Sequence, residues 1–229
     1  MLLVVMGRGI QQETPGKWYL TEDLEVVADD RGGHLPTRVP QDDNNPLCLV
    51  GGGKLNVIAG MELYKKLNPE LVTLAYGDRH PYLRDIGAPS ENQVMTDAFL
   101  KLMKFVGAEG MESRTARWTL TESETRPNSK REIQNSLELA AGVGIHDVTV
   151  VTVLVHAWRL SLFIKELQSE HPELRPLRIN LVTSEEVLLE ADPETFDQRI
   201  RNMHASEAFM RTIRTEGFGI NHVLNGRYK

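Results

Sequence analysis

His156 and Arg159 are the two side chains of this sequence whose types and spacing most directly suggest chemistry. They follow the apolar run at 148–155 and stand at the start of a helical pattern over residues 157–167. A histidine can transfer protons near neutral pH, and an arginine can hold a phosphate or carboxylate through paired hydrogen bonds. Residues three apart share one helix face, so both can act on one ligand. Without a ligand, His156 would plug the strand end and Arg159 would pair with a surface carboxylate.

Three consecutive glycines, Gly51, Gly52 and Gly53, join a predicted strand at 47–50 to a predicted helix. The free N–H groups and the dipole at a helix start attract anions, and glycine lets a phosphate or carboxylate approach the backbone closely. Lys54, just inside the helix, adds a positive charge. The pattern favours an anion site, with a tight turn that binds nothing as the equal alternative.

A second glycine pair, Gly7 and Gly9, follows the first predicted strand. This pair is a weak signal for dinucleotide binding, because Gln12 stands where the fingerprint has a third glycine and no helix follows closely.

The elements that must position these residues alternate along the chain. Strand patterns at 1–6, 47–50, 71–76, 148–155 and 178–182 are separated by amphipathic helical patterns. Two of these helices begin with the spacing of a capping box, at Ser90 and at Ser129. Strands that alternate with helices of ten or more residues imply parallel connections. We therefore predict an α/β fold, with a mostly parallel sheet covered by helices on both faces.

Two regions depart from this alternation. Residues 11–46 are polar and too long for a structureless loop in a compact domain, so we predict a small hairpin or helical excursion there, placed as a flap over a site. Residues 186–229 form a helical C-terminal extension packed on the same domain, and one of its helical patterns starts at Asp192 and Pro193. Its last residues, 217–229, are glycine-rich and form either a docked tail or an arm that contacts a partner.

Composition excludes several classes of function. The chain has 229 residues, 41% of them hydrophobic, and a net charge of −6 with scattered basic residues, which argues against nucleic-acid binding. Cys48 is the single cysteine, so no internal disulfide forms and a reducing compartment is favoured. No apolar stretch approaches the roughly 18 residues that span a bilayer. A soluble, cytoplasmic protein without a membrane partner is expected, and no metal site is indicated.

The segment VTVLVHAWRL at 151–160 resembles the V-T-s-x-x-H-x-x-R-A signature of the YdcF/SanA/ElyC family, through Thr152, His156 and Arg159. The resemblance covers residues 1–185. A family run, E-x-x-S-x-N-T-x-E-N, is matched only loosely at 124–133, where Glu124 and Glu132 are retained. Other stretches similar to the family are the glycine-rich strand ends at 4–7 and 49–53, the helix at 59–64, the turn at Gly77, and the helix start with Ser90, Glu91 and Met95.

The resemblance implies a Rossmann-like, three-layer α/β/α domain over residues 1–185. It also implies one cleft at the strand ends, with His156 and Glu124 as catalytic residues. The ligand-binding residues implied with them are Gly51, Gly52, Gly53, Lys54, Gly77, Ser90, Glu91, Ser129, Glu132, Thr152 and Arg159. Glu91 and Glu132 have an alternative explanation, since acidic residues in the first turn of a helix are stabilised by its dipole without any ligand.

Two hypotheses about function follow. The first is an enzyme that acts on an anionic, nucleotide-like small molecule, such as S-adenosylmethionine, which the family resemblance suggests, or a phosphorylated metabolite. The second is a non-catalytic binding or scaffold protein that uses the same cleft. The expected partner is an anionic small molecule, and a homodimer with a second copy of the chain is left open.

Overall fold

The structure is a computed structural model of the chain, and it describes residues 1–26, 42–79, 81–108, 111–116 and 128–227. The strands are β1 (Leu2–Val5), β2 (Ile10–Thr14), β3 (Lys17–Leu20), β4 (Leu24–Val26), β5 (Cys48–Val50), β6 (Leu71–Leu74), β7 (Thr115–Ala116), β8 (Asp147–Thr152) and β9 (Arg178–Thr183). The helices are α1 (Gly53–Leu67), α2 (Pro81–Asp85), α3 (Glu91–Phe105), α4 (Ser129–Gly142), α5 (Leu154–Glu170), α6 (Ser184–Ala191), α7 (Pro193–His204) and α8 (Glu207–Leu224), with short 3-10 turns at Met111–Arg114 and Pro172–Leu174.

The central sheet of the described residues has five parallel strands in the order β7-β6-β1-β8-β9. β1 lies in the middle, with Leu2 opposite Leu71 of β6 on one side and Val148 of β8 on the other. Counted along the chain, these strands have the order 3-2-1-4-5, which is that of a Rossmann-like sheet. The predicted α/β fold with a parallel sheet is therefore confirmed.

Alternate residues of β1 divide the core into two layers. Leu3 and Val5 point to the face covered by α1 and α3, and Leu2 and Val4 point to the face covered by α4 and α5. All four side chains are buried. Because both faces are covered, the strands are continuously apolar rather than alternating, which is what made β1, β6 and β8 recognisable in the sequence.

Side-chain caps define where the helices begin. Ser90 accepts a hydrogen bond from the Gln93 N–H at the start of α3, as predicted. At α4 the cap is Asn128, one residue earlier than predicted; it accepts from the Arg131 N–H, and the capping box predicted between Ser129 and Glu132 does not form. This displacement leaves the Glu132 side chain free to reach another element.

Two predicted strands differ from the structure. The segment at 47–50 was expected in the central sheet, but β5 pairs antiparallel with β4, and the Val50 N–H donates to the Thr212 hydroxyl of α8. The strand expected over 148–155 ends at Thr152, because Val153 is already the first residue before α5. His156 is thus the third residue of α5. The apolar run at 148–155 did not show where the strand ends and the helix begins.

Parts of the two irregular regions are described. Residues 10–20 form a β2–β3 hairpin with a turn at Pro15 and Gly16, where Gly16 has a φ of 79°. Residues 27–41 of the predicted excursion lie outside the described residues. At the other end, α8 packs against α5 and β5, and α6 packs against α1. None of the helices in the described part of the chain is both long and apolar enough to cross a membrane.

We expect Asn56→Ala to lower the free energy of unfolding by about 2–4 kcal/mol, because two buried hydrogen bonds would be lost. Asn56 is fully buried in α1; its Nδ2 donates to the Met6 carbonyl at 2.8 Å, and its Oδ1 accepts from the Ser184 hydroxyl at 2.6 Å. Urea denaturation measures the change. The exposed Asn202→Ala is the control and should change stability by less than about 0.5 kcal/mol; equal effects would contradict the prediction.

Candidate functional site

A cavity of about 370 Å³ opens at the carboxyl ends of β1 and β6. The starts of α3 and α4 close it from the two faces of the sheet, and the short helix α2 covers one side. Its volume is in the range of small-molecule sites. The polar residues that line it include Arg8 after β1, Asp78 and Arg79 after β6, Tyr82 of α2, Glu91 of α3, and Ser129, Arg131 and Glu132 of α4.

Two carboxyl groups meet the backbone turn that follows β1. The Gly7 N–H donates to Glu132 Oε1 at 2.7 Å, and the Gly9 N–H donates to Glu91 Oε1 at 2.5 Å. A Cβ at position 7 would lie 2.7 Å from the Glu91 carboxyl and 2.9 Å from the Ala75 Cβ. Only glycine therefore fits at position 7, and the close approach brings both glutamates to one turn.

Both carboxyl groups hold their protons more tightly than usual. Burial raises the pKa of Glu132 to about 8; the nearby Glu91 charge adds to this effect, while the Gly7 N–H and Arg8 oppose it. Burial also raises the pKa of Glu91, against the opposing effect of the Gly9 and Arg8 backbone bonds and of the Arg8 charge. Two carboxyls that interact this closely titrate as a pair. Glu132, with its pKa of about 8, can therefore exchange a proton near neutral pH.

Arg8 links this cavity to a second group of charges behind it. Its Nε donates to the Gly51 carbonyl and its Nη2 to the Val50 carbonyl, each at 3.0 Å. Its Nη1 lies 3.5 Å from Glu216 Oε1 of α8. The guanidinium is thus held by two carbonyls and a carboxylate while it lines the cavity.

Glu216 is the centre of that second group. Its Oε2 lies 2.9 Å from Arg159 Nε, and its Oε1 lies 3.2 Å from His156 Nδ1. Burial would raise the pKa of Glu216, but the hydrogen bond from His156 and the charges of Arg8 and Arg159 outweigh it and hold that pKa at about 2. Gly219 makes room for this arrangement, because a Cβ there would lie 2.7 Å from Arg159 Nη1.

His156 and Arg159 do share one helix face, but neither lines the cavity. We expected both side chains to project into one cleft with the glycine turn. They do not, because Glu216 of α8 occupies the space beside them. His156 is 1% exposed, and burial lowers its pKa to about 4. The histidine is therefore neutral at physiological pH. The side chain with a pKa near neutral pH is Glu132 instead.

The glycine turn is also placed differently from the expectation. The N–H groups of Gly51 and Gly52 donate to the carbonyls of Asp23 and Glu22, and the Gly53 N–H donates to the Thr21 hydroxyl. Residues 21–23 accept these hydrogen bonds, so the three N–H groups are not free for an anion. The turn contributes instead the Gly51 carbonyl, which accepts a hydrogen bond from Arg8.

The remaining predicted site residues fall into three groups. Gly77, Glu91, Ser129 and Glu132 line the cavity. Lys54 pairs with Glu22 at 3.3 Å, Ser90 faces a neighbouring surface depression, and Thr152 is buried at the end of β8, so these three lie outside it. Glu124 lies outside the described residues, and its catalytic role stays a prediction.

Sequence reasoning missed Arg8 and Glu216, although each leaves a signal. Arg8 stands between two glycines directly after the apolar run of β1, where a charged residue is unexpected unless it has a function or a partner. Glu216 is an acidic residue on the buried face of α8, together with Ala208 and Thr212. A charge on such a face indicates a buried partner of opposite sign.

Fold and site together define a Rossmann-like α/β protein with a cavity of mixed charge at its strand ends. We compared the chain with models of protein families, with curated proteins and with solved structures, and found no match. The chemistry of the site must therefore be inferred from its own geometry.

The raised pKa of Glu132 predicts a dependence of stability on pH. Between its ordinary value of 4.5 and about 8, folded Glu132 keeps a proton that the unfolded chain loses. The stabilising contribution is therefore complete below pH 4.5, and the free energy of unfolding should fall as the pH rises towards 8. Glu132→Gln should flatten this fall, as measured by urea denaturation across the pH range.

Glu138→Gln, an exposed change on the same helix, is the matched control and should keep the wild-type slope. If Glu132→Gln and the wild type lose stability in parallel, the assigned pKa is wrong.

Proposed function

We propose that the cavity binds an anionic, nucleotide-like small molecule and that Glu132 and Glu91 exchange a proton with it, which makes the protein an enzyme. The observation that carries the proposal is the pair of carboxyl groups held on the Gly7 to Gly9 turn inside the cavity.

The charges of the described lining residues favour an anion. Three cations, Arg8, Arg79 and Arg131, face three acids, Asp78, Glu91 and Glu132. With a pKa of about 8, Glu132 is mostly protonated at neutral pH, so the positive charges are in excess. Arginine binds phosphate and carboxylate groups well because its planar donors match their geometry.

The carboxyl pair supplies the other half of the recognition. Carboxylates at the ends of parallel strands accept hydrogen bonds from ribose hydroxyls in other Rossmann-like proteins. Tyr82 adds an aromatic ring with a phenol that stays neutral, because burial raises its pKa to about 12. A sugar with an anionic group therefore matches the chemistry of the wall better than an apolar ligand.

Proton transfer is the reaction class that this pair supports. A general acid works best when its pKa lies near the operating pH, and Glu132 meets this condition. Membership in the YdcF-like family, with S-adenosylmethionine among the candidate ligands, belongs to the same proposal and rests on the sequence resemblance alone.

Binding is tested with named probes. Mass spectrometry of the purified protein under native conditions looks for a retained small molecule, and thermal shift compares nucleosides, their 5′-monophosphates and S-adenosylmethionine. A probe at 100 times its Kd adds about 2.7 kcal/mol of stability. We expect a monophosphate to stabilise the protein more than its nucleoside.

Arg131→Ala should remove the advantage of the monophosphate, because the cation at the start of α4 is lost. Arg201→Ala, an exposed change on α7 that pairs only with Asp197 in the described structure, is the control. If no probe binds, or if Arg131→Ala binds the monophosphate unchanged, the proposed ligand class is wrong.

Turnover separates an enzyme from a binding protein. With any probe that is converted, Glu132→Gln should lower kcat by about 10²–10⁴-fold with a small change in KM, and wild-type activity should decline above about pH 8. Glu138→Gln serves again as the control. Binding without conversion of any probe would favour the non-catalytic hypothesis.

A further inference from the structure

The outer face of α8 carries an apolar stripe that the fold leaves open to solvent. Met210, Ile213, Gly217, Ile220 and Leu224 follow one another at spacings of three and four residues. Met210, Ile213 and Leu224 are 45%, 43% and 66% exposed. This spacing places all five on one side of the helix and is typical of a seam between two helices.

The inner face of the same helix is already used. Ala208, Thr212 and Glu216 are buried, and they face β5 and the start of α5. The apolar stripe is therefore a second face of an anchored helix, which can receive another helix without unfolding of the protein.

Nothing among the described residues of one copy explains Gly217, which lies in the middle of the stripe. A Cβ added there meets nothing within 4 Å, and its φ is not positive. Glycine is the least favourable residue for a helix interior apart from proline. A second helix that approaches α8 at this point would explain the glycine, because small residues let two helix backbones come close together.

The ends of α8 are complementary to each other. The exposed Glu207 lies in the first turn, and the exposed Arg227 follows the last turn. These residues stand ten positions before and ten positions after Gly217. In an antiparallel pair centred on Gly217, the acidic start of one helix lies beside the basic end of the other, and the helix dipoles are opposed favourably.

We propose that a second copy of this chain docks on the stripe, with the two α8 helices antiparallel and Gly217 at the two-fold axis. Such an interface is isologous: Met210 of one copy meets Leu224 of the other, and the reverse contact follows by symmetry. A single pair of helices buries less than the roughly 1,200–2,000 Å² of a standard stable interface. A weak dimer, whose population rises with the protein concentration, is therefore expected.

Sedimentation equilibrium of the full chain over a range of concentrations tests the dimer. The wild type should associate reversibly, and Ile213→Glu should weaken association at least about tenfold, because it places a charge in the seam. Thr215→Glu is the matched control: Thr215 is exposed on the same helix but points away from the stripe. A wild type that stays monomeric, or a dimer that Ile213→Glu leaves unchanged, overturns the proposal.

Two further variants test the geometry. Gly217→Leu should weaken the dimer while the monomer stays folded, since the added side chain meets open space in one copy. Gly217→Cys should form a disulfide between two copies under mild oxidation, whereas Thr215→Cys, exposed on the same helix, should not. The native Cys48 is buried and does not compete. Failure of Gly217→Cys to crosslink faster than Thr215→Cys contradicts the two-fold axis at Gly217.

The charge pair gives an independent test of direction. Glu207→Arg and Arg227→Glu should each weaken association, and the double variant should restore it, as expected if the two residues meet across the interface. If the double variant is no better than the single variants, the antiparallel arrangement is wrong.

Discussion

The end of the central strand β1 has to accommodate charges of both signs away from bulk water. The guanidinium of Arg8 and the carboxyls of Glu91 and Glu132 meet there, around a turn whose N–H groups point at the carboxyls. A charge removed from water is costly unless it is paired or neutralised. The protein uses both solutions: Arg8 is paired with carbonyls and with Glu216, and Glu132 retains its proton because burial raises its pKa to about 8.

This requirement explains why distant segments converge on a single turn. The starts of α3 and α4 bring the two glutamates, the return of the chain at Val50 and Gly51 brings two carbonyls, and α8 brings Glu216. The two carbonyls and Glu216 stabilise the charge of Arg8, and the N–H groups of the turn stabilise the two glutamates. The cavity is what remains between them, so its electrostatics are set by the fold as a whole.

The fold was predictable where a single local pattern decides the structure. β1, β6 and β8 are buried on both faces and therefore read as apolar runs, and the caps at Ser90 and Asp192 follow from local hydrogen bonding. The segment at 47–50 was misplaced because an apolar run shows that a strand is buried but not which strand it joins. That choice depends on Val26 and Thr212, which are distant in the chain.

The site was predictable to a smaller extent. The family resemblance named Glu91 and Glu132, and their positions at the starts of α3 and α4 bring both to the edge of the sheet. The placement of His156 could not be read in the same way, because it is decided by a helix about 60 residues further along the chain that carries its own carboxylate. The sequence indicated a helix around Phe209 to Ile213, but the glycine-rich residues 217–229 were expected to be a docked tail or an arm, and nothing showed which element the buried face of α8 would cover.

The dependence on α8 has a consequence during synthesis on the ribosome. The five strands described in the central sheet are complete at Thr183, whereas α8 begins only at Glu207. A chain in which α8 has not yet docked would leave the Arg8 and Arg159 guanidinium groups without the carboxylate that they share. The edge of the sheet would then carry an uncompensated positive charge.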